Sequence, residues 1–189
     1  MQSRDCEGAV TKSSAIRRAL IMAFVSVSAL SAQPSRVLVE EARFQWSVVR
    51  NNLIKMAEKM PVEDYSFKPT PEIETFAQRV AHIARSNLNV CEAITNGQSP
   101  PQPAATTKPE LVALMKQASA SCDAVFNSLN DTTAMEKISS QFGGPFPPNP
   151  TRTKLATLYN MLRHSNEVYG YMCVYLRLKG IVPPSSLPE

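Results

Sequence analysis

Apolar residues recur at helical spacing in four segments of the chain, and connections rich in proline separate these segments. In the first segment, from about Pro34 to Met60, the apolar positions are three or four residues apart. They are Val39, Ala42, Trp46, Val49, Leu53, Met56 and Met60. No stretch shows the strict alternation of a half-buried strand. Each segment therefore predicts an amphipathic helix that buries one face.

The second and third segments both open with a signal for a helix N-terminus. Thr75 is followed three residues later by Gln78, and Thr107 is followed by Glu110 at the same spacing. In a capping box, the two side chains of such a pair satisfy backbone N–H groups of the first turn. The second helix is expected to stop near Asn96-Gly97, because Gly commonly ends helices.

The fourth helix is predicted from about residue 151 to residue 179. Asn149 is the expected N-cap, Pro150 occupies the first helical position, and Gly180 ends the helix. Four amphipathic helices in one domain predict an all-α four-helix bundle.

The N-terminus has the pattern of a signal peptide. Arg17-Arg18 precede an apolar stretch over residues 19–30, and small residues follow. This stretch is too short for a stable membrane span. We therefore expect residues 1–32 to be a leader, residues 33–189 to form the bundle, and the protein to be exported, to the periplasm. The alternative is a cytoplasmic protein with an uncleaved leader or a misassigned start.

Charge gives no support to a nucleic-acid partner. The net charge is +4, and residues 1–32 contribute half of it through four basic and two acidic residues. The remainder shows no basic stripe with interleaved aromatic residues, which is the pattern of a nucleic-acid surface. Binding of nucleic acid is therefore not expected.

The four cysteines leave two interpretations open. Cys6 would leave with the leader, and Cys91, Cys122 and Cys173 would remain. No C-x-x-C spacing indicates a zinc ribbon or a thioredoxin-like site. The favoured interpretation is three buried thiols that act as small apolar side chains. In an exported protein the alternative is one disulfide, with Cys91 and Cys122 as the expected pair.

The chain has only two histidines, and both fall on predicted helices. His82 lies next to the core position Ile83, and His164 lies between the core positions Leu162 and Ser165. Their side chains can converge if the two helices are neighbours or diagonal across the core, and a bundle builds its sites from such facing side chains. The alternative is two packed histidines that only make hydrogen bonds. No nucleophilic serine motif, phosphate loop or carboxylate pair stands out elsewhere.

Three stretches, residues 60–69, 75–84 and 164–184, resemble the DinB-like family, which is named for damage-inducible proteins and includes bacterial thiol transferases and thiol-dependent isomerases. The resemblance covers nearly all of residues 36–186. It implies an up-down-down-up four-helix bundle, often a homodimer. It also implies a divalent metal, commonly zinc or nickel, held by one histidine on the second helix and an H-x-x-x-H pair on the fourth.

On this resemblance His82 matches the first ligand and His164 the second, whereas the third position is Val168, which is not a ligand. We therefore expect a DinB-like protein of unassigned reaction with a degenerate metal site. The alternative is an exported metal-dependent hydrolase or thiol transferase, in which the metal activates a water or a thiol and Asn160 or Glu167 orients water. Another interpretation is a non-catalytic binding or interaction module, for example for a small-molecule ligand, that kept the bundle and lost the metal. A third is a purely structural periplasmic bundle.

Overall fold

The computed structural model describes residues 34–98, 100–101, 104–138 and 152–187. The predicted leader, with Cys6, lies outside these residues. The described part contains five α-helices, and single 3-10 turns lie at Val62–Asp64 and Pro184–Ser186. The helices are α1 (Val37–Lys59), α2 (Phe76–Asn96), α3 (Lys108–Ser128), α4 (Asp131–Ala134) and α5 (Lys154–Leu178). None of the described helices is both long and apolar enough to cross a bilayer.

The four long helices form a bundle in which α1 and α2 each pack between α3 and α5. Arg36, beside the start of α1, donates to the carbonyl of Phe126 near the end of α3. At the other end, Lys108 begins α3 and donates to the carbonyl of Met60. Helices α1 and α3 are therefore antiparallel.

Two core clusters lie one above the other along the bundle. The first joins the C-terminal halves of α1 and α5 to the N-terminal halves of α2 and α3. The second joins the opposite ends of the same helices, around Trp46 and Phe126, whose ring centroids are 6.2 Å apart. Helices α1 and α5 therefore run one way, and α2 and α3 run the other. The predicted all-α bundle and its up-down-down-up order are confirmed.

The sequence pattern locates most helix faces and ends correctly. All seven apolar positions predicted for the first helix are buried. The Oγ1 atom of Thr75 accepts from the backbone N–H of Gln78, and the Gln78 side chain accepts from the N–H of Thr75. Gly97 follows α2 with a φ of 71°, a left-handed conformation that favours glycine. The capping box and the stop of the second helix are as predicted.

The predicted start of the fourth helix is too early. The expected cap and first residue, Asn149 and Pro150, lie outside the described residues, but α5 begins only at Lys154. Thr153 is its N-cap and accepts from the N–H of Ala156 at 3.1 Å. Backbone hydrogen bonds of Arg152 and Lys154 to the segment after α4 keep this stretch extended. This pairing with the segment after α4 therefore explains why the helix begins several residues later than predicted.

The preferred interpretation of the cysteines is also wrong. Cys91 on α2 and Cys122 on α3 form a disulfide, and both are fully buried. Their Cα atoms are 5.1 Å apart, which is within the range that a disulfide requires. Close packing of α2 on α3 brings the two sulfurs together, whereas Cys173 remains a half-buried thiol.

Candidate functional site

His82 on α2 and His164 on α5 meet on the outer side of the contact between the two helices. Their Nε2 atoms are 3.2 Å apart, and the rings cross at 75°. The predicted convergence is therefore observed, because α2 and α5 are neighbours. His82 is exposed and His164 is half-buried, so the pair lies at the rim and not in the bundle interior.

A buried hydrogen bond beneath the histidines holds the two helices in register. The Ser165 hydroxyl donates to the Asn87 side-chain oxygen at 2.9 Å, and these residues are 0% and 1% exposed. Ser165 follows His164 in the chain. Asn87 was missed at the sequence level, although it lies four residues after Ile83 on the same apolar stripe, where an amide is unexpected.

The second ring nitrogen of His164 also has a polar neighbour. Its Nδ1 atom lies 3.5 Å from the hydroxyl oxygen of Ser86, one turn after His82 on α2. A neutral imidazole has one donor nitrogen and one acceptor nitrogen. Either ring can therefore donate to the other, with the Ser86 hydroxyl accepting from or donating to Nδ1 of His164.

The surroundings of His164 disfavour its protonation. Burial is the largest cause that lowers its pKa below the ordinary value of 6.5, and the charge of His82 lowers it further. Glu167 opposes this shift, and Arg163 and Arg79 add to it. The neutral imidazole is thus favoured near pH 7, and it is the form that both hydrogen-bonds to a neighbouring ring and ligates metals.

Comparison with known proteins places this bundle in a family. The family model for the DinB superfamily matches residues 45–172. The chain belongs to the DinB superfamily. No curated protein matches the chain.

Solved structures support the same fold. A DinB-like protein from Bacillus subtilis is 25% identical, with a TM-score of 0.62 over 79% of this chain and 96% of that one. A DinB-like protein from Bacillus cereus is 18% identical, with a TM-score of 0.59 over 77% of this chain and 95% of that one. A conserved protein from Enterococcus faecalis is 14% identical, with a TM-score of 0.57 over 76% and 97% of the two chains.

The spacing of the two histidines can be compared with the metal site that the family resemblance implies. Two nitrogens 3.2 Å apart can both bind one ion at about 2.0–2.1 Å, with an angle of about 100° at the metal, near the tetrahedral value. Val168, at the third position, is 2% exposed, packs in the first core cluster and offers no donor atom. Among the described residues, no group of three or more His, Cys, Asp or Glu side chains is arranged to hold a metal. The described residues therefore supply two candidate ligands, His82 and His164, and no third.

The two side chains expected to orient water are engaged along the surface of α5. The Asn160 side-chain oxygen accepts from Arg163 at 3.3 Å. Glu167 accepts from Arg163 at 3.2 Å and from the Tyr171 hydroxyl at 2.8 Å. Arg163 thus joins the two side chains into one polar surface group next to His164.

Proposed function

We propose that this DinB-superfamily protein binds a divalent metal, zinc or nickel, through His82 and His164. The site is a degenerate form of the three-histidine centre implied by the family resemblance, and its reaction is unassigned. The 3.2 Å separation of the two Nε2 atoms carries the proposal, because it is close to the roughly 3.3–3.4 Å between two nitrogens that share one tetrahedral ion.

The contacts of His164 favour a ligand role. A histidine that binds metal through Nε2 carries its proton on Nδ1 and usually donates it to an oxygen atom, which fixes the ring. The Ser86 hydroxyl oxygen, 3.5 Å from Nδ1 of His164, is the atom that can accept this hydrogen bond. The lowered pKa of His164 favours the neutral state that ligation requires.

A bound ion with two histidine ligands would keep open positions for water or a small ligand. A divalent metal in this position supplies Lewis acidity, which lowers the pKa of a bound water or thiol. A hydrolase or thiol-transferase activity is the enzymatic form of this proposal. His82 and His164 would hold the ion, and the buried side chain of Val168 would exclude water from the core side.

A metal-free binding module is the second candidate function. It is favoured by the same contact, since Nε2 atoms at 3.2 Å also make a hydrogen bond that needs no ion. The two candidate functions predict different amounts of bound metal. The metal site predicts binding at a fixed ratio of metal to protein, and the metal-free module predicts none.

Export is part of the proposal. Disulfides persist in oxidising compartments, and small exported domains use them for stability. The buried Cys91–Cys122 bond is the observation that supports this location. The signal-peptide pattern predicted for residues 1–32 is the second support for export. Cell fractionation, with detection of the processed N-terminus, tests whether the protein is exported.

The test of metal binding is a calorimetric titration of zinc and nickel into protein purified without a histidine tag or chelators. We expect one saturable site in the parent protein and none in His82→Ala or His164→Ala. Because the chain has only two histidines, histidine-dependent binding is assigned directly by these variants. Binding that persists in both variants, or no binding by the parent, would overturn the metal proposal and leave the metal-free candidate.

Val168→His restores a donor at the third position. We expect zinc affinity to rise about tenfold or more, because typical zinc sites use at least three protein ligands. Val168→Leu is the matched control, since it retains an apolar side chain there. Equal affinity in both variants would mean that the imidazole at position 168 does not reach the ion.

A further inference from the structure

Helix α5 exposes an apolar strip on the side that faces away from the bundle. Four large side chains of this strip are between 46% and 58% exposed, namely Tyr159, Tyr171, Val174 and Leu178. At 100° per residue, these positions and Gly170 fall within about 120° of the helix surface. Single exposed apolar side chains are ordinary on a soluble protein, whereas a contiguous strip of them marks a contact surface. The strip is therefore a candidate interface.

Gly170 lies in this strip, and nothing within the described residues requires a glycine there. It is exposed in the interior of α5, and a Cβ atom added to it would meet no atom within 4 Å. Glycine destabilises a helix interior relative to alanine, but it lets another backbone approach closely. A second helix packed over Gly170 would use that property.

We infer that two copies of the chain pair through this strip, with their α5 helices antiparallel about a two-fold axis. In such a contact, a residue that meets a second residue of the partner is met in return by the partner's copy of the first. If the axis passes at the level of Met172, Val174 lies opposite Gly170 of the second copy. Glu167 then lies opposite Arg177 of the second copy, and the axis repeats both contacts. The dimer does not depend on the proposed metal site.

The positions of these residues on α5 agree with one interface. Glu167, Gly170, Val174 and Arg177 fall within about 80° of the helix surface, and all four are exposed. The valine side chain would fill the space over the glycine, where the two helices approach most closely. The contact would therefore have an apolar centre with an ion pair on each side, which is the usual order of a helix-pair interface.

The charges of the strip favour a second copy in this antiparallel arrangement. Arg177 donates to the hydroxyl of Ser186 and, among the described residues, has no acidic partner. Glu167 pairs with Arg163 in its own helix, and an exposed pair of this kind contributes little net stability. Glu167 is therefore available to a second cation. In a parallel pair each charge would meet its like, which is unfavourable.

The inference is tested by sedimentation equilibrium of the full chain over about 1 to 200 µM, because small interfaces associate weakly. We expect a monomer–dimer equilibrium in the parent protein. Val174→Glu should raise the dimer dissociation constant about a hundredfold or more, because it buries an unpaired charge at the interface. Val48→Glu makes the same change at an exposed valine of α1 and should leave the constant unchanged.

Gly170→Ala separates the stability of one copy from the association of two. The added methyl group meets no atom of its own chain, and alanine favours the helix, so the dilute monomer should be equally or more stable in urea. In the dimer the methyl group occupies space that the second copy approaches, so the dissociation constant should rise about tenfold or more. Unchanged association of this variant would overturn the close approach at Gly170.

Exchange of the two charges tests the antiparallel register. Glu167→Arg and Arg177→Glu should each weaken the dimer about tenfold, because like charges then meet across the axis. The double variant should return to the association of the parent, since opposite charges meet again. No recovery in the double variant, or a parent that stays monomeric, overturns the inference. In a monomeric parent, a loss of stability in Val174→Glu but not in Val48→Glu would mean that the same chain covers the strip.

Discussion

At the scale of single residues, the protonation of His164 links the candidate site to stability. Its pKa in the folded protein is lowered from 6.5 by burial, His82, Arg163 and Arg79, against the opposing effect of Glu167. Below pH 6.5 the unfolded chain therefore binds more protons at this position than the folded protein does. The stability that the neutral imidazole contributes is present above pH 6.5 and is lost as the pH falls through the lowered pKa.

His164→Gln should weaken this pH dependence, because glutamine cannot take up a proton. We expect the free energy of unfolding of the parent to fall more than that of the variant between pH 7.5 and pH 5. Urea unfolding curves at several pH values measure the difference, with metal excluded by chelator. Parallel pH profiles for the two proteins would contradict a lowered pKa at His164.

Helical spacing could predict that His82 and His164 converge if their helices are neighbours, but not how deep the two side chains lie. His82 adjoins the buried Ile83, and one residue along a helix corresponds to a rotation of about 100°. A neighbour of a core residue can therefore point to the edge or to solvent, and here it is exposed. The distance between the imidazoles depends on the packing of α2 against α5, which no local pattern contains.

At the scale of elements, the buried hydrogen bond from Ser165 to Asn87 is one of the contacts that join α2 to α5. Ser165→Ala would leave the Asn87 side-chain oxygen buried without this donor. We expect a loss of about 1–3 kcal/mol in unfolding free energy, the cost of an unsatisfied buried polar group. We also expect weaker zinc binding, because the bond holds the two histidines in register.

Ser128→Ala is the matched control for this prediction. The Ser128 hydroxyl donates to the carbonyl of Val125 within its own helix, and among the described residues it joins no second helix. Its replacement should change unfolding free energy by about 0.5 kcal/mol or less, and it should not affect zinc binding. Similar stability of the two variants in urea would show that the Ser165–Asn87 bond does not contribute to the α2–α5 contact.

The helix ends that are set by nearby residues could be predicted from the sequence. The prediction failed where a helix end is set by contacts with a distant segment. The capping box at Thr75 and the glycine at Gly97 act within a few residues, and both are observed. The start of α5 depends instead on backbone pairing with the segment near Lys137, which is remote in sequence. The short helix α4 has only four residues, too few to display a helical period.

At the scale of the whole molecule, the disulfide closes a long loop in the unfolded chain. Cys91 and Cys122 are separated by 31 residues, and the bond joins α2 to α3 within the second core cluster, beside Met161. A cross-link at this spacing stabilises the folded state by about 3 to 4 kcal/mol, chiefly through the lost entropy of the unfolded chain. Helical periodicity could not reveal the bond, since a buried cysteine and a bonded one occupy the same stripe.

The double variant Cys91→Ala, Cys122→Ala should therefore lose about 3 to 4 kcal/mol of unfolding free energy in urea. Cys173→Ala is the control and should lose about 1 kcal/mol or less, because this half-buried thiol forms no cross-link. Because both bonded cysteines are fully buried, a reductant should act on the parent only as fast as the protein unfolds. A non-reducing peptide map that shows Cys91 and Cys122 as separate thiols, or equal stability of the two variants, would contradict the disulfide and remove the main structural support for export.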